Sequence, residues 1–598
     1  MSAQRMKSYF SRMSPVPAFP EYTGPYKVGT VDVEIPVSKL DSPSPTPDAA
    51  ANIHTIQFRV FYPATPDSKG PPITWLPAPQ RLHVAAYTQF LGLNPMMASV
   101  LSFLPRHLYY TYVPVTKNAP LQPPNTPNGR WPTVIFSHGL GGNRNAYSYV
   151  SGCLASHGVV VVCPEHRDGS AGVSIIRDPQ AQGHSSPWKS QRLVPYVRIP
   201  HTQTPEIWRA RDTQIRVRLW ELGLLVEAVL GIDSGMEDLI GSNMNRSTTK
   251  AALQQFAAKM DVQEPGKIIL GGHSFGAATI VQLLKLTYYA DRPEVTSMPD
   301  PVFAPAKDSN IRRLLTEKTP TILLDMWCFP LVSATVAPLL PLPLPAYADV
   351  PTAPGGTAVL AIESEAFHRW TEHLHTKARI LSPDPSARIV ALPPPQAAAE
   401  DHQQRRHAGP SFFYAHGSAH LNQSDFGVLF PWVCRRVFGA KEPERAMRLN
   451  VRAMLQHLRA NAVPVARTWA GDLVDGPGAG AGKKPGAGRR ASAGARPGGG
   501  GGDQGLDDGT HDDGAIMRRG ADGEVEGWCW IDIAGLGGRA GRTELESLAR
   551  PEKEDGESSE GEDPERQMEG EMEPGVTPIE TGAPVGDVRR AAVGAAAA

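Results

Sequence analysis

An α/β fold built on a largely parallel central sheet is what the sequence predicts, on three observations. Over the first 470 residues, short aliphatic runs of strand character alternate with longer segments of helical pattern, as when sheet strands are joined by crossover helices. One such run, KIILGG (267–272), opens directly into AATIVQLLKL, which has helical composition. Hydrophobic residues make up 41% of the 598, enough for a substantial core, and no internal repeat is visible.

Taken in order, the strand runs are TIQFRVFYP (55–63), TVIFSH (133–138), VVVVCPE (159–165), KIILGG (267–272), PTILLD (320–325) and TAVLAIES (357–364). Helices are expected at Ala146–His157, Ile207–Val229 and Ala277–Leu286, with a last one near Glu444–Ala460. The proline-rich stretches 291–319 and 383–410 read as surface excursions. Cys328–Tyr347 carries no charge over 20 residues, but Pro330, Pro338, Pro341, Pro343 and Pro345 break it, so it reads as an apolar loop rather than a membrane span. Composition changes near residue 470. From Gly476 the chain runs GPGAGAGKKPGAGRRASAGARPGGGGG, then turns acidic, then ends in alanines. Segments of this kind bury too little apolar surface to offset their ordering entropy. The expected organisation is a flexible 1–19, a folded domain over 20–470 and a disordered tail over 471–598. Only Glu524–Leu536, with Trp528 and Trp530, is a candidate for order within that tail.

Charge and cysteine content exclude several classes. With 59 basic and 60 acidic residues the net charge is −1, so no nucleic-acid partner is expected. Cys153, Cys163, Cys328, Cys434 and Cys529 are few and scattered, which excludes a disulfide framework and a zinc ribbon. The first twenty residues lack the apolar run of a signal peptide, and residue 2 is Ser, so the myristoylation pattern is absent. The expectation is a soluble cytoplasmic protein with no obligate protein partner.

The chemistry concentrates at Gly272-His273-Ser274-Phe275-Gly276, between a strand and a helix. This is the setting of a nucleophile elbow, and it specifies the α/β-hydrolase version of the fold. Gly272 and Gly276 are needed because the turn is sharp. Ser274 would stand at its tip, with the N–H of Phe275 aimed at a developing oxyanion. A serine hydroxyl needs a base, and the base an orienting acid, in the chain order Ser, Asp or Glu, His. Asp325 ends the run PTILLD and fits the acid. His416 and His420 both follow the apolar run 412–415 in a turn-like loop, and residue chemistry alone does not separate them. His373 and His375 read as helix surface. The second oxyanion donor is expected from Ser137-His138-Gly139-Leu140-Gly141-Gly142, through the N–H of Leu140. No Lys-Ser/Thr pair follows this loop and no G-x-G-x-x-G falls within it, which argues against nucleotide binding. No metal or cofactor is expected.

FSHGLGG (136–142), LASHGVVVVCPEHRDGSA (154–171), GGHSFGAAT (271–279), LLDMWCFPL (323–331) and GSAHLNQSDF (417–426) together resemble the platelet-activating factor acetylhydrolases. These are calcium-independent phospholipases A2 of the plasma and intracellular type II kind. The resemblance covers roughly 20–460 in ordered blocks. It implies a triad of Ser274, Asp325 and His420, His420 being the histidine followed closely by an Asp-Phe pair (Asp425-Phe426), and oxyanion donors on Leu140 and Phe275. It also implies a phospholipid substrate with a short or oxidised sn-2 acyl chain. The separations, 51 residues from serine to acid and 95 from acid to base, exceed those expected for vertebrate members. Alternatives are a general carboxylesterase or dienelactone-hydrolase-like enzyme acting on small soluble esters, or a non-catalytic scaffold. The mostly apolar Val84–Leu104, broken by Gly92 and Pro95, reads either as a core or lid helix or as a face that dips into a lipid surface.

Overall fold

The computed structural model describes residues 16–103, 106–181, 191–392, 408–469, 473, 510–511, 513–520 and 525–537. Nine strands form the body of the main sheet: β1 (Lys27–Pro36), β2 (Thr55–Ala64), β3 (Trp131–Ser137), β4 (Val160–Glu165), β5 (Ile268–His273), β6 (Thr321–Leu324), β7 (Val359–Ser364), β8 (Ser411–Ala415) and β9 (Trp528–Trp530). Their order across the sheet is β9-β8-β7-β6-β5-β3-β4-β2-β1. From β4 through β3, β5, β6 and β7 to β8 every pairing is parallel. β2 runs antiparallel to both β4 and β1, and β9 antiparallel to β8.

Alternating side chains along each strand enter two cores, because successive Cβ atoms point to opposite faces. Val134, Ile269, Ile322 and Leu360 share one face with helix α3 (Ser148–Ser156) and helix α8 (Pro443–Ala460). Ile135, Leu270, Leu323 and Ala361 share the other with the 29-residue α4 (Pro205–Asp233) and with α5 (Phe275–Tyr288). Both faces are therefore covered, as a parallel sheet requires. The remaining helices used below are α1 (Gln80–Phe90), α2 (Pro95–Leu101), α6 (Thr371–Ile380) and α7 (Pro431–Val437).

The chain leaves β3 toward β4 on one side and later returns as β5 on the other. Such a reversal of strand order opens a crevice at the carboxyl ends of the two strands, where ligands bind in open α/β sheets. With a sharp strand–helix turn after β5, the arrangement is the α/β-hydrolase fold.

The six expected strands and four expected helices are present with boundaries moved by a few residues. Two readings need correction. The stretch 291–319 is not a surface excursion, since Val302, Phe303, Ile311, Leu314 and Leu315 are buried in the core beside α4 and α5. Residue 470 does not end the sheet either, because β9 lies well beyond it, inside the one tail stretch expected to be orderable. The rest of 471–598, apart from 473, 510–511 and 513–520, lies outside the described residues, as do 1–15 and 393–407. Cys328–Tyr347 forms three short 3-10 turns packed mostly inside. Among the described residues no helix is long and apolar enough to cross a membrane.

Candidate active site

The turn after β5 holds Ser274 at φ 54° and ψ −120°, a conformation that costs an L-residue of order 1–3 kcal/mol and is kept only where the surroundings enforce it. They do so by contact. A Cβ on Gly276 would lie 2.1 Å from the carbonyl oxygen of Ser137, and one on Gly272 would lie 2.6 Å from the backbone of Gly276. The Ser274 N–H donates to the Leu324 carbonyl at 2.9 Å, tying the turn to the end of β6. Ser274 itself is buried, and its Oγ makes no hydrogen bond to a described residue.

Asp325 follows β6, also at positive φ (38°), with its N–H donating to the Ile362 carbonyl of β7. One carboxylate oxygen accepts from the Ser364 N–H at 2.5 Å, and the other meets His420 Nδ1 at 2.9 Å. His420 lies just past β8, its ring stacked on Phe367 (centroids 4.3 Å apart, 5° between planes) and 4.4 Å from the ring of His273. The geometry thus separates the two candidate histidines. His416 is half exposed and faces Glu365 at 3.2 Å, whereas His420 faces Asp325. Imidazole and carboxylate are joined, while the serine hydroxyl lines the same cavity as His420 without bonding it. Such contacts are often open without substrate and close when it binds.

Burial disfavours charge on both members of the pair. It pushes Asp325 up, against the pull of the Lys377 cation and the Ser364 hydrogen bonds. It brings His420 down to about 3, helped by Lys377, so the imidazole is neutral and able to accept a proton. Lys377 is itself fully buried on α6 and paired with buried Glu363 of β7. His273, Asp325 and His420 offer ligand atoms within 4.8 Å of one another, the density of a metal site. Asp325 and His420 Nδ1 are engaged with each other, and His273 Nδ1 with the Tyr147 hydroxyl at 2.8 Å.

The loop after β3 is anchored on both sides of Leu140. The Gly139 N–H donates to the Tyr147 hydroxyl (3.1 Å) and the Gly141 N–H to the Ser170 carbonyl (2.8 Å). Leu140 lines the cavity, and Phe275, first residue of α5, has no intrahelical acceptor for its N–H. The loop and Phe275 both rest on one buried cation from α4. Arg218 Nη1 donates to the His138 carbonyl at 2.8 Å, its Nε donates to Asp168 at 2.8 Å, and its guanidinium sits 4.4 Å over the Phe275 ring. Behind it, Ser137 Oγ, His166 and Glu221 form a second hydrogen-bonded row of 2.9 and 3.0 Å. None of the three lines the cavity that Ser274 and His420 share, and the row braces the loop from behind.

The cavity has a volume of about 320 Å³ and is walled by Trp75, Tyr87, Phe426 and Phe430 beside Ser274 and His420. Among the described residues no Asp, Glu, Lys or Arg lines it. Asp425 fixes this wall. It accepts from Trp75 Nε1 at 2.9 Å and from the N–H groups of Ser148 and Tyr149 at the start of α3.

Three contributors were not anticipated from sequence: Arg218, Lys377 and Glu363. A usable signal existed for Arg218, because Arg211, Gln214, Arg218 and Glu221 recur on one face of a helix otherwise rich in aliphatics. His373 was read as helix surface. It is buried, and its Nε2 accepts from the Cys328 N–H at 2.9 Å. His375 is partly buried and accepts from the Gly537 N–H.

Comparison with known proteins identifies the family. The sequence profile of the family described as "Platelet-activating factor acetylhydrolase, isoform II" matches residues 12–464. A Schizosaccharomyces pombe protein named "Putative phospholipase A2" is 28% identical over 459 residues, covering 74% of this chain and 92% of its own. The platelet-activating factor acetylhydrolase of Cavia porcellus is 29% identical over 269 residues, 44% of this chain and 52% of its own, so that alignment spans about half of each. Among solved structures, a ferulic acid esterase from Streptomyces cinnamoneus aligns over 75% of this chain and 89% of its own, at 16% identity and a TM-score of 0.32.

Replacing Arg218 by Met, with Asp168→Asn so that no lone carboxylate stays buried, is expected to lower kcat on a soluble ester by roughly 10²-fold, the scale of one lost oxyanion donor, with KM little changed. Arg218→Lys should recover part of the loss, and an unaltered kcat in the folded double variant would refute the brace. The pH dependence has a definite sign. With His420 proposed as the general base, its protonation is expected to lower activity as pH drops through its pKa, and a depressed pKa should keep activity into more acid solution than an ordinary histidine would. Lys377→Met removes the cation that helps depress it, so the acid limb of kcat/KM should move to higher pH. A pH–rate profile measured on both proteins decides this.

Proposed function

The chain belongs to the platelet-activating factor acetylhydrolase isoform II family, and from that premise we propose that it is a serine esterase that cleaves the sn-2 short-chain or oxidised acyl ester of glycerophospholipids such as platelet-activating factor. The observation that carries this reading is the Asp325–His420 pair at 2.9 Å set beside a strained elbow serine in one uncharged cavity.

His420 takes the proton of Ser274 Oγ as the oxygen attacks the ester carbonyl. Asp325, bonded to Nδ1, holds the ring and favours the imidazolium that forms. The N–H groups of Leu140 and Phe275 receive the oxyanion, each worth roughly 3 kcal/mol in systems of this kind. His420 then returns its proton to the departing lysophospholipid oxygen, leaving an acyl-serine. Water, deprotonated by His420, repeats the sequence and releases the acid. The lining suits an acyl chain rather than a zwitterionic headgroup, since among the described residues no Asp, Glu, Lys or Arg is there to meet one.

Lipid access is part of the same proposal. Met96, Val100 and Phe103, on or just after α2, are 78, 62 and 54% exposed, and Trp432 on α7 is 72% exposed. Phe90 and Leu91 at the end of α1, and Val433 and Val437 of α7, also line the cavity wall. Apolar side chains of this kind insert into the headgroup boundary of a bilayer.

Ser274→Ala should reduce turnover of an sn-2 acetyl phospholipid by at least about 10⁴-fold, while a chelator leaves the wild type unchanged. Activity should decline as the sn-2 chain is lengthened. Faster turnover of short aryl esters than of any phospholipid would favour a general carboxylesterase instead. Val100→Glu with Phe103→Glu should weaken liposome co-sedimentation and spare hydrolysis of a soluble ester; unchanged sedimentation would remove the lipid-contact proposal.

A further inference from the structure

We propose that residues 513–520 and 525–537, beyond the stretch that matches the family, act as an intramolecular clamp on the loop that carries His420, and that full turnover depends on this clamp. The inference rests on the reading of Ser274, Asp325 and His420 given above.

β8 leads directly into His416-Gly417-Ser418-Ala419 and then His420. On one flank it is paired in parallel with β7, Tyr414 opposite Glu363 and Ala415 opposite Ser364. Without β9 its other flank would be an open sheet edge, whose unpaired backbone leaves the strand end free to fray. β9 closes that flank, with Ala415 opposite Trp528, Tyr414 opposite Cys529 and Phe413 opposite Trp530. The pairing continues into the loop itself, where the His416 N–H donates to the Gly527 carbonyl at 2.8 Å. His420 is thus four residues from a hydrogen bond supplied by the tail.

The segment is held by built contacts. Trp528 is buried, its ring stacks on Phe413 (5.4 Å, 19°), and its Nε1 donates to the Ile516 carbonyl at 2.8 Å. Arg452 of α8 pairs with Asp513 through two bonds of 2.6 and 3.0 Å, both side chains buried. Arg445 of α8 also donates to the Glu526 carbonyl. At the far end Val390 exchanges backbone bonds with Leu536 and Gly535, and the Gly537 N–H donates to His375 on α6, the helix that carries Lys377. A catalytic row must be held to about 0.5 Å by its supporting shell, and here part of the shell comes from a separate stretch of chain. Trp528 and Asp513 are positioning residues on this view.

The test uses the full chain carrying Trp528→Ala, with turnover of a soluble ester expressed per Ser274 labelled by a fluorophosphonate probe, so that unfolded molecules do not count. The expected result is a fall of at least tenfold in kcat per labelled serine, recovered on adding a synthetic peptide spanning 510–537. Hydrogen exchange at the amides of 412–420 should be at least tenfold faster in the variant. Wild-type turnover per labelled serine, or unchanged exchange, would overturn the clamp. Should Trp528→Ala not fold, Asp513→Asn and a full chain cut after folding at a protease site placed within 476–502 give the same readouts. Failure of the esterase reading is recognised separately, by a wild type no more active than Ser274→Ala, and the exchange arm still decides the clamp in that case.

Discussion

Backbone meets backbone with no room for a side chain where the turn 272–276 packs on the end of β3. At Gly276 the carbonyl of Ser137 occupies the space that any side chain would need. This contact sets the separation between the strand that offers the hydroxyl and the loop that offers Leu140, and it keeps Ser274 in a backbone conformation it would otherwise leave. Asp325 and His420 are then brought in from β6 and β8 to a place already defined. The ordering of strands supplies the crevice, and the two glycines make it narrow enough for chemistry.

Around this point the protein buries an unusual density of ionisable groups. Arg218 with Asp168, and Lys377 with Glu363, lie inside with almost no exposure. Buried pairs of this kind contribute little net stability against apolar replacements, so their value lies elsewhere. Arg218 fixes the carbonyl that precedes the glycine turn. Lys377 biases the protonation of the imidazole and carboxylate beside it. The same low dielectric that makes these groups costly makes their fields strong at short range.

Much of this was legible in the sequence, for a physical reason. Central parallel strands are apolar on both faces, so runs such as TVIF and VVVV stand out from any helix. The elbow and the glycine loop declare themselves because sterics leave few residue choices there. What stayed hidden depended on contacts between distant segments. His416 and His420 share a loop and differ only in which carboxylate they meet, Glu365 or Asp325, a fact that exists only once β7 and β8 are paired. Phe303 and its neighbours looked like a proline-rich excursion because composition does not reveal which way a turn faces. β9 is three residues long and isolated from the folded domain by a glycine-rich stretch, so it gave only a pair of tryptophans as a sign of order.

The placement of that last strand has a consequence for how the molecule matures on the ribosome. Serine, carboxylate and imidazole are all translated before Trp528, yet the neighbour that seals the imidazole's strand is not. During synthesis the nascent polypeptide therefore passes through a period in which Ser274, Asp325 and His420 have all been made but the sheet still lacks β9, and on the clamp proposal full turnover waits for that late segment to pair.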